Sequence, residues 1–316
     1  MTGRDAPGSG SGSAPTTGSG PREDAGVRQG GTTREPAVAG SFYPDRADAL
    51  RDLVHALLAR AAPVGPAGSP MGVLVPHAGL AYSGLVAAAG WRALLDPAGP
   101  VPTVIVLGTN HSAWFDGVAV DPGGAWRLPT GDVSIDAGLA ERIVVLGRPF
   151  GASRVAHRDE HSIEVQLPLA LALRPGLRIV PCSVAAGTAV EAVEGGTRLG
   201  ALLAELRDAG VEALLAISTD MAHYPAHDEA VRVTERLGPA ICTLDPHATA
   251  ALEREEAASG VRGIACGMCG IQPTVLGLAA LRAMGATAGR VLASATSADA
   301  GGPRSRTVGY LSVAFA

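Results

Sequence analysis

The sequence contains no lysine, so all 25 basic residues among its 316 positions are arginines. Schiff-base enzymes, pyridoxal phosphate enzymes and Walker-type phosphate-binding loops all depend on a lysine side chain. Because none is present, the sequence excludes these three kinds of site, whatever the codon usage that removed lysine.

A surplus of positive charge is also missing. The 30 acidic residues outnumber the arginines and give a formal net charge of −5 at pH 7. Nucleic acids are bound by clustered Lys and Arg side chains, and the sequence has neither a basic run nor a platform of aromatic residues, which make up only 3% of the chain. We therefore expect no nucleic acid partner.

Long apolar runs are absent too. No segment approaches the roughly 18 apolar residues of a membrane-spanning helix, and the N-terminal segment lacks the apolar centre of a secretory signal. Residues 1–33 are mainly Gly, Ser, Thr and Pro, which cannot bury enough surface to offset the entropy lost on ordering. We predict a disordered tail over residues 1–33 in a cytoplasmic protein with no membrane partner.

Hydrophobic patterning beyond the tail predicts an α/β fold. Strands are predicted at residues 71–75, 103–107, 117–120, 177–180, 212–217, 290–295 and 308–314, and helices at 47–61, 83–95, 136–146, 162–173, 199–209, 227–241, 246–256 and 273–284. Strands separated by helices of ten or more residues indicate a mostly parallel sheet that is covered on both faces. We predict one domain over residues 34–316 with three α/β/α layers, in which the last two strands, having no helix between them, pair antiparallel at one edge.

Three polar motifs follow directly after predicted strands. They are Pro-His-Ala-Gly at residues 76–79, which carries His77, Gly-Thr-Asn-His at residues 108–111, which carries His111, and Ser-Thr-Asp-Met-Ala-His at residues 218–223, which carries Asp220 and His223. In an open parallel sheet, ligands bind beyond the carboxyl ends of the strands. We therefore expect these side chains to share one site.

Each motif also has a purely structural interpretation. His77 could be a turn histidine, Asn110, the sole asparagine of the chain, could fill a left-handed turn position, and Asp220 could cap a helix. The position of all three motifs at strand ends favours function. There, a carboxylate such as that of Asp220 would fix the tautomer of His223 and raise its basicity.

A fourth motif, Glu-His-Ser-Ile-Glu at residues 160–164, opens a predicted helix. Its simplest interpretation is N-terminal capping, with negative charge at the positive end of the helix dipole. His161 and Glu164 would then share a helix face, and His161 becomes a candidate for a role beside a metal. His157 is predicted to be a surface loop residue.

The sequence Cys-Gly-Met-Cys at residues 266–269 leaves several roles open. No second cysteine or histidine pair with zinc-finger spacing completes a structural zinc site, and a redox dithiol would need a thioredoxin-like context that the pattern does not show. One of these cysteines could reach the histidine site, or both could be inert buried thiols. In a chain without an export signal we expect reduced thiols, with Cys182 and Cys242 in the core.

Together these motifs resemble those of the Memo family, whose bacterial members are labelled AmmeMemoRadiSam system protein B. The resemblance rests on Ala-Gly-Ser-Phe-Tyr-Pro at residues 39–44, on the four His-bearing motifs, and on Cys269-Gly270 followed by Pro273, in order from about residue 35 to the C-terminus. It implies a fold like that of class III extradiol dioxygenases, which are non-haem Fe(II) enzymes. It also implies a metal site with two histidine ligands and one cysteine ligand, which by motif position are His77, His111 and Cys269.

The resemblance further implies a redox protein, with iron as the expected cofactor and copper or zinc as alternatives. Two imidazoles and a thiolate leave coordination positions open for O₂ or substrate. We expect an oxidoreductase in which His223 is the acid or base, Asp220 orients it, and His161 stabilises a bound anion or oxygen. A disulfide between Cys266 and Cys269, or competition of Cys266 for the metal, would disturb this assignment.

Other functions fit the same residues. Zinc with these ligands could activate water, as in a metal-dependent hydrolase. A non-catalytic adaptor that binds a metal or a peptide, and a metal carrier, are further alternatives. The expected partner is a small molecule or a peptide, and the bacterial family label suggests a genomic association with a radical SAM protein.

Overall fold

The strand at the centre of the sheet is Thr103–Thr109, and all seven of its residues are buried. Successive side chains of a strand point to opposite faces of a sheet. Val104 and Val106 belong to one hydrophobic cluster. Ile105 and Leu107 belong to the other. The sheet is therefore covered on both faces, as this unbroken apolar sequence requires.

The computed structural model describes residues 32–61, 70–185 and 187–316. Within these residues the strands are β1 (Thr33–Arg34), β2 (Gly72–Val75), β3 (Thr103–Thr109), β4 (Val118–Val120), β5 (Ala125–Leu128), β6 (Gly131–Ile135), β7 (Phe150–Ala152), β8 (Arg178–Val184), β9 (Ala213–Ser218), β10 (Met221–His223), β11 (Cys266–Met268), β12 (Gly289–Thr296) and β13 (Gly309–Phe315). The α-helices are α1 (Ala47–Arg60), α2 (Leu80–Leu94), α3 (Ala137–Val145), α4 (Leu167–Leu173), α5 (Ala189–Asp208), α6 (His227–Cys242), α7 (Pro246–Ala257) and α8 (Ile271–Ala283). The predicted tail over residues 1–33 lies outside the described residues except for its last two, of which Thr33 belongs to β1.

Eleven of these strands form one sheet, in the order β1-β5-β6-β8-β3-β9-β2-β13-β12, with β4 beside β8 and β7 beside β4. The strands β6, β8, β3, β9 and β2 pair in parallel. At the edge, β13 pairs antiparallel with both β2 and β12, which confirms the predicted arrangement of the last two strands. The remaining strands, β10 and β11, pair with each other.

Helices cover both faces of the sheet, so the predicted mixed α/β fold is confirmed. Apolar residues of α1, α2 and α4 join the hydrophobic cluster on one face, and those of α3, α5, α6, α7 and α8 join the cluster on the other. The described residues from 32 onward form one compact unit. Among the helices of the described ranges, none has the length and apolar character that crossing a membrane requires.

The strand predicted at residues 177–180 continues through Pro181 to Val184. This strand, β8, pairs with β6 as far as Ile179 and with β4 from Cys182 onward. Proline has no N–H to donate to a ladder. Pro181 lies between the β8 residues that pair with β6 and those that pair with β4. Its missing N–H donor therefore interrupts neither of these two ladders, and the strand does not end there.

Helices α5 and α8 pack closely because two glycines of α5 face α8. A methyl group at Gly196 or Gly200 would overlap the carbonyl oxygens of Leu276 and Ala280. The two glycines are four residues apart and therefore share a helix face. Since α8 begins two residues after Cys269, this contact also fixes the position of that cysteine.

We expect Gly200→Ala to lower the free energy of unfolding by about 1–3 kcal/mol, because the added methyl group forces α5 and α8 apart. Urea unfolding of the purified variant measures the change. Gly138→Ala in α3 is the matched control, since the nearest atom to its new methyl group is Asp136 Oδ1 at 3.7 Å. It should stabilise the helix by at most about 1 kcal/mol, and equal effects of the two substitutions would contradict the close packing.

Candidate metal site

Three histidine rings lie together beyond the carboxyl ends of the central parallel strands. His77 follows β2, His111 follows β3, and His161 lies in the loop before α4. One ring nitrogen of each lies within 4.8 Å of the others, and the ring centroids are 4.5–5.5 Å apart. The structure thus brings together the two histidines predicted at strand ends and adds His161, in an arrangement that could hold a metal ion.

His77 is the most deeply buried of the three, with 2% of its surface exposed. Its backbone N–H donates to Asp220 Oδ1 at 2.7 Å, and its ring Nδ1 lies 3.0 Å from Ser218 Oγ. Burial, together with the nearby His111 and His161, holds the pKa of His77 well below its usual value. The ring is therefore neutral at neutral pH, which is the form that binds metals.

The buried carboxylate of Glu160 lies beside the Nδ1 atoms of both His111 and His161. Its carboxylate accepts the backbone N–H of His111 at 2.6 Å and the ring Nδ1–H at 3.0 Å, and it lies 3.5 Å from His161 Nδ1. Burial alone would raise the pKa of Glu160, but the hydrogen bonds from His111 and Ser162 lower it to about 2. An ionised carboxylate can only accept, so His111 carries its proton on Nδ1 and its Nε2 is the nitrogen left for a metal.

The predicted capping role of residues 160–164 is wrong. A short 3₁₀ turn forms at Glu164–Gln166, and α4 begins only at Leu167. Glu160 precedes both elements. Its buried carboxylate accepts two N–H groups of His111 and the backbone N–H of Ser162 instead of capping a helix. His161 and Glu164 consequently do not share a helix face.

Glu164 holds the N-terminal segment against the site. Its buried carboxylate accepts a hydrogen bond from Arg34 and one from the Tyr43 hydroxyl, both at 2.5 Å. Burial and the neighbouring Glu164 carboxylate raise the pKa of Tyr43, so this tyrosine stays protonated. The ring of Phe42, the residue before Tyr43, lies 4.8 Å from the ring of His161.

His161 itself is held in its neutral form. Burial and the nearby His111 lower the pKa of His161.

Asn110 closes the loop that carries His111. Its side-chain amide donates to the carbonyl oxygen of Ala113 at 2.7 Å and accepts the N–H of the same residue at 3.1 Å. The asparagine thereby fixes the backbone around His111. Its role is structural support of the site.

Cys269 lies beside His77, with its Sγ 3.3 Å from His77 Nε2 and 3.3 Å from the backbone nitrogen of Asp220. Burial and the Asp220 carboxylate raise the pKa of this thiol. Cys269 is not part of the three-histidine group, and its assignment as a metal ligand stays a prediction. Cys266 pairs with His223 across β10 and β11, and all four cysteines are free thiols, so the structure has no disulfide between Cys266 and Cys269.

Asp220 and His223 follow β9. Contrary to the prediction, they form no hydrogen bond with each other. Asp220 Oδ1 accepts the backbone N–H groups of His77 and Ala78, and His223 Nδ1 donates to the carbonyl oxygen of Met221 at 2.8 Å. Burial raises the pKa of Asp220, the nearby His223 partly opposes this shift, and the net value is about 6. Asp220 thus anchors the loop of His77, and His223 is oriented by its own strand.

The prediction that His157 lies on the surface is wrong. Its side chain is fully buried, with Nε2 3.0 Å from the carbonyl oxygen of Ala119 and its ring against Trp126. Burial lowers the pKa of His157 to about 4. The charged neighbours in sequence suggested a loop exposed to solvent, whereas contacts with distant segments decide its position.

Sequence patterning missed three residues that support the histidines: Glu160, Ser218 and Gln166. The sequence pattern presents Glu160 as a helix cap and Ser218 only as part of a motif. The adjacency of Glu160 to His161 was the one available signal. Gln166 had none, because its partners lie elsewhere in the sequence.

The fold and the histidine group define an α/β protein with a candidate site for a single metal ion. The site lies at one edge of a parallel sheet, where the loops after β2 and β3 converge with the loop before α4. Comparison with known proteins identifies the family to which such a chain belongs.

The family model described as Memo-like protein matches residues 34–314. A MEMO1 family protein of Methanopyrus kandleri is 36% identical over 291 residues, which cover 89% of this chain and 98% of that protein. One from Aquifex aeolicus is 36% identical over 284 residues, covering 89% and 98%. The chain belongs to the Memo family, and the resemblance seen in its motifs is confirmed.

A solved structure agrees with the fold. The crystal structure of an uncharacterized protein from Escherichia coli K12 superposes with a TM-score of 0.52 at 16% identity, covering 78% of this chain and 99% of that chain. At so low an identity the likeness shows the α/β fold alone.

We expect the ionised Glu160 to stabilise the folded protein in a pH-dependent manner. Its pKa falls from 4.5 to about 2 on folding, so its contribution is complete above about pH 4.5 and disappears as the pH falls towards about 2. The stabilisation lost is about 3 kcal/mol. Unfolding free energies of the wild type and Glu160→Gln across this range should converge as the pH falls.

The exposed neighbour Asp159 provides the control for this titration. Asp159→Asn should follow the wild type at every pH, because this side chain is 65% exposed and its one ion pair within the described ranges is with the exposed Arg158. A constant difference between wild type and Glu160→Gln over the whole range would contradict the lowered pKa.

Proposed function

We propose that this chain binds one transition-metal ion through His77, His111 and His161 and uses it for oxidation–reduction chemistry on a small organic molecule. The observation that supports this most strongly is the convergence of the three rings, with one nitrogen of each within 4.8 Å of the others. Two nitrogens that are each about 2.1 Å from one ion lie at most about 4.2 Å apart. Ring rotations that move these nitrogens by less than an ångström would therefore suffice.

The donor atoms favour a transition metal such as iron, copper or zinc. Imidazole nitrogens suit iron, copper and zinc, whereas magnesium and calcium prefer oxygen ligands. The thiol of Cys269, 3.3 Å from His77 Nε2, adds a soft donor that suits iron, copper and zinc. We take iron as the resident metal, with copper as the alternative. Cys269, which the family resemblance assigns as a ligand, is the candidate for a further ligand.

Bound there, iron would supply activation of O₂ or another oxidant at its open coordination positions. The chain's own residues would handle protons around it. His223 donates its Nδ1–H to Met221, so Nε2 is the atom able to accept a proton from a substrate. Asp220, whose pKa is raised to about 6, can exchange a proton close to neutral pH. His161, expected from the motifs to stabilise bound oxygen, joins the ligands in this proposal.

Elemental analysis of protein purified without oxygen should find close to one iron or copper per chain. His161→Gln should lose the metal, because a carboxamide replaces one of three nitrogen ligands. His227→Gln is the matched control, since His227 bonds to Thr296 Oγ1 outside the site, and it should keep the metal.

The role of Cys269 is decided by a second pair of variants. If Cys269→Ser loses the metal while Cys266→Ser and His161→Gln both keep it, the ligands are two histidines and one cysteine. A wild-type protein that stays metal-free after reconstitution with iron, copper and zinc contradicts the proposal. In that case the non-catalytic, peptide-binding adaptor becomes the better interpretation.

A zinc hydrolase is the second candidate function, favoured by the three-histidine set itself. Three histidines hold catalytic zinc in other enzymes, and the zinc ion lowers the pKa of its bound water to about 7. The two candidates differ in what they consume. Oxidation of a reduced small molecule consumes an oxidant such as O₂, whereas hydrolysis of an ester or amide does not.

We expect His223→Gln to keep its metal within about twofold of the wild-type content and to lose about 10²–10⁴-fold in turnover, because proton transfer by a positioned side chain contributes this much. Oxygen uptake by the iron-loaded protein, with a panel of reduced aromatic and thiol compounds, is the measurement. His227→Gln should retain wild-type turnover. Unchanged turnover in His223→Gln would remove His223 from the chemistry, and zinc-dependent ester hydrolysis without oxygen uptake would favour the hydrolase.

A further inference from the structure

A row of buried polar side chains lies behind His77 and is not explained by packing. Trp91 on α2, Gln166 at the end of the 3₁₀ turn and Ser218 at the end of β9 all have 0% of their surface exposed. Buried polar groups are costly unless they are hydrogen-bonded. These three bond to one another in sequence, and the last of them bonds to His77.

Trp91 fixes the orientation of the Gln166 amide. The indole N–H can only donate, and it lies 3.0 Å from Gln166 Oε1. The amide NH₂ group must then be on the other side. There it donates to the carbonyl oxygen of Pro76 at 2.8 Å and to Ser218 Oγ at 3.0 Å, which uses both of its protons.

The orientation of Gln166 decides what Ser218 can do. A serine hydroxyl has one proton and two acceptor sites. Its proton goes to the carbonyl oxygen of Ser162 at 2.6 Å, since a carbonyl oxygen can only accept. One acceptor site takes the proton of Gln166, and only an acceptor site is left for His77 Nδ1 at 3.0 Å.

We propose that Trp91, Gln166 and Ser218 are positioning residues that hold His77 in the tautomer with its proton on Nδ1 and its lone pair on Nε2. With the other tautomer, the lone pairs of Nδ1 and Ser218 Oγ would face each other. Relief would require the hydroxyl to turn away from Ser162 and leave its buried carbonyl oxygen without that bond, at a cost typical of unsatisfied buried groups.

The contact on the other side of the ring agrees with this tautomer. His77 Nε2 lies 3.3 Å from Cys269 Sγ, where a lone pair on Nε2 can accept the thiol proton. When a metal takes that lone pair, the hydrogen bond from Nδ1 to Ser218 is unaffected. The ring is thus oriented for a metal before one arrives, which links this inference to the proposed function.

His77 is held differently from the other two histidines. The ionised Glu160 accepts from His111 and lies near His161, whereas the neutral hydroxyl of Ser218 faces the Nδ1 of His77. A carboxylate in that place would also fix the tautomer, but it would add a negative charge beside the ring. A neutral hydroxyl selects the tautomer without adding charge.

The tautomer can be measured in the metal-free protein by two-bond ¹H–¹⁵N correlation NMR, with His77→Gln to assign the signal. We expect the wild-type His77 to carry its proton on Nδ1 and Ser218→Ala to gain a population protonated on Nε2. Trp91→Phe, which keeps an aromatic ring but lacks the N–H, should move the equilibrium in the same direction. It also serves as the second variant if Ser218→Ala does not fold.

Zinc affinity is the second readout, because supporting residues of a metal ligand typically change affinity by about 10–100-fold. Ser218→Ala should weaken zinc binding by this factor. Ser312→Ala is the matched control, since Ser312 is a buried strand serine whose hydroxyl has no hydrogen-bond partner among the described residues, and it should bind zinc like the wild type.

A wild-type His77 protonated on Nε2, or a spectrum that Ser218→Ala and Trp91→Phe leave unchanged, overturns the inference. The two measurements also distinguish a failure of this inference from a failure of the proposed metal site. If the tautomer shifts as expected but the wild type binds neither zinc nor iron, the positioning role stands and the metal site fails.

Discussion

The buried carboxylate of Glu160 is the interaction on which the site depends. It accepts two hydrogen bonds from His111 and one from Ser162, and its backbone carbonyl oxygen accepts another from Arg34. A buried carboxylate is unfavourable unless its acceptor sites are filled, so these partners must be in place together. The end of β3, the loop of His161 and the N-terminal segment are therefore fixed to one another by a single residue, through its carboxylate and its backbone carbonyl oxygen.

The charges around the site are arranged to respond to a cation. Burial raises the pKa of Asp220 and of the Cys269 thiol, and it keeps His77 neutral. A positive ion among these groups would reverse the shifts of the acid and the thiol, because it favours their ionised forms. The thiol proton of Cys269 would then leave as a metal enters, whereas Glu160 already carries its negative charge and Asp220, with a pKa of about 6, is mostly ionised at neutral pH. The metal-free protein is thus organised around carboxylate charge that is already present, and the Cys269 thiol is the group whose charge would appear on binding.

Much of the fold could be predicted because its long strands and helices carry clear periodicities, and His77 and His111 could be found because each directly follows a strand. The supporting residues could not be found in this way. Glu160 acts on a histidine 49 positions earlier and Gln166 on a tryptophan 75 positions earlier, and such pairs leave no local pattern. The error at His157 has the same origin, since its burial is decided by distant segments. The strands β10 and β11 could not be predicted either. Each has only three residues, and they form because they pair with each other across a long stretch of sequence.

The order of strands in the sheet has a consequence for the order of events during synthesis. Strand β9 lies between β3 and β2 and pairs with both, so the strands that carry His111 and His77 reach their final spacing only after Ala213–Ser218 has left the ribosome. The contact between His77 and Cys269 spans 192 positions and forms later still. No nascent fragment up to α5 can present the complete site. A metal ion held by the three histidines would therefore bind only after β9 has taken its place between β3 and β2.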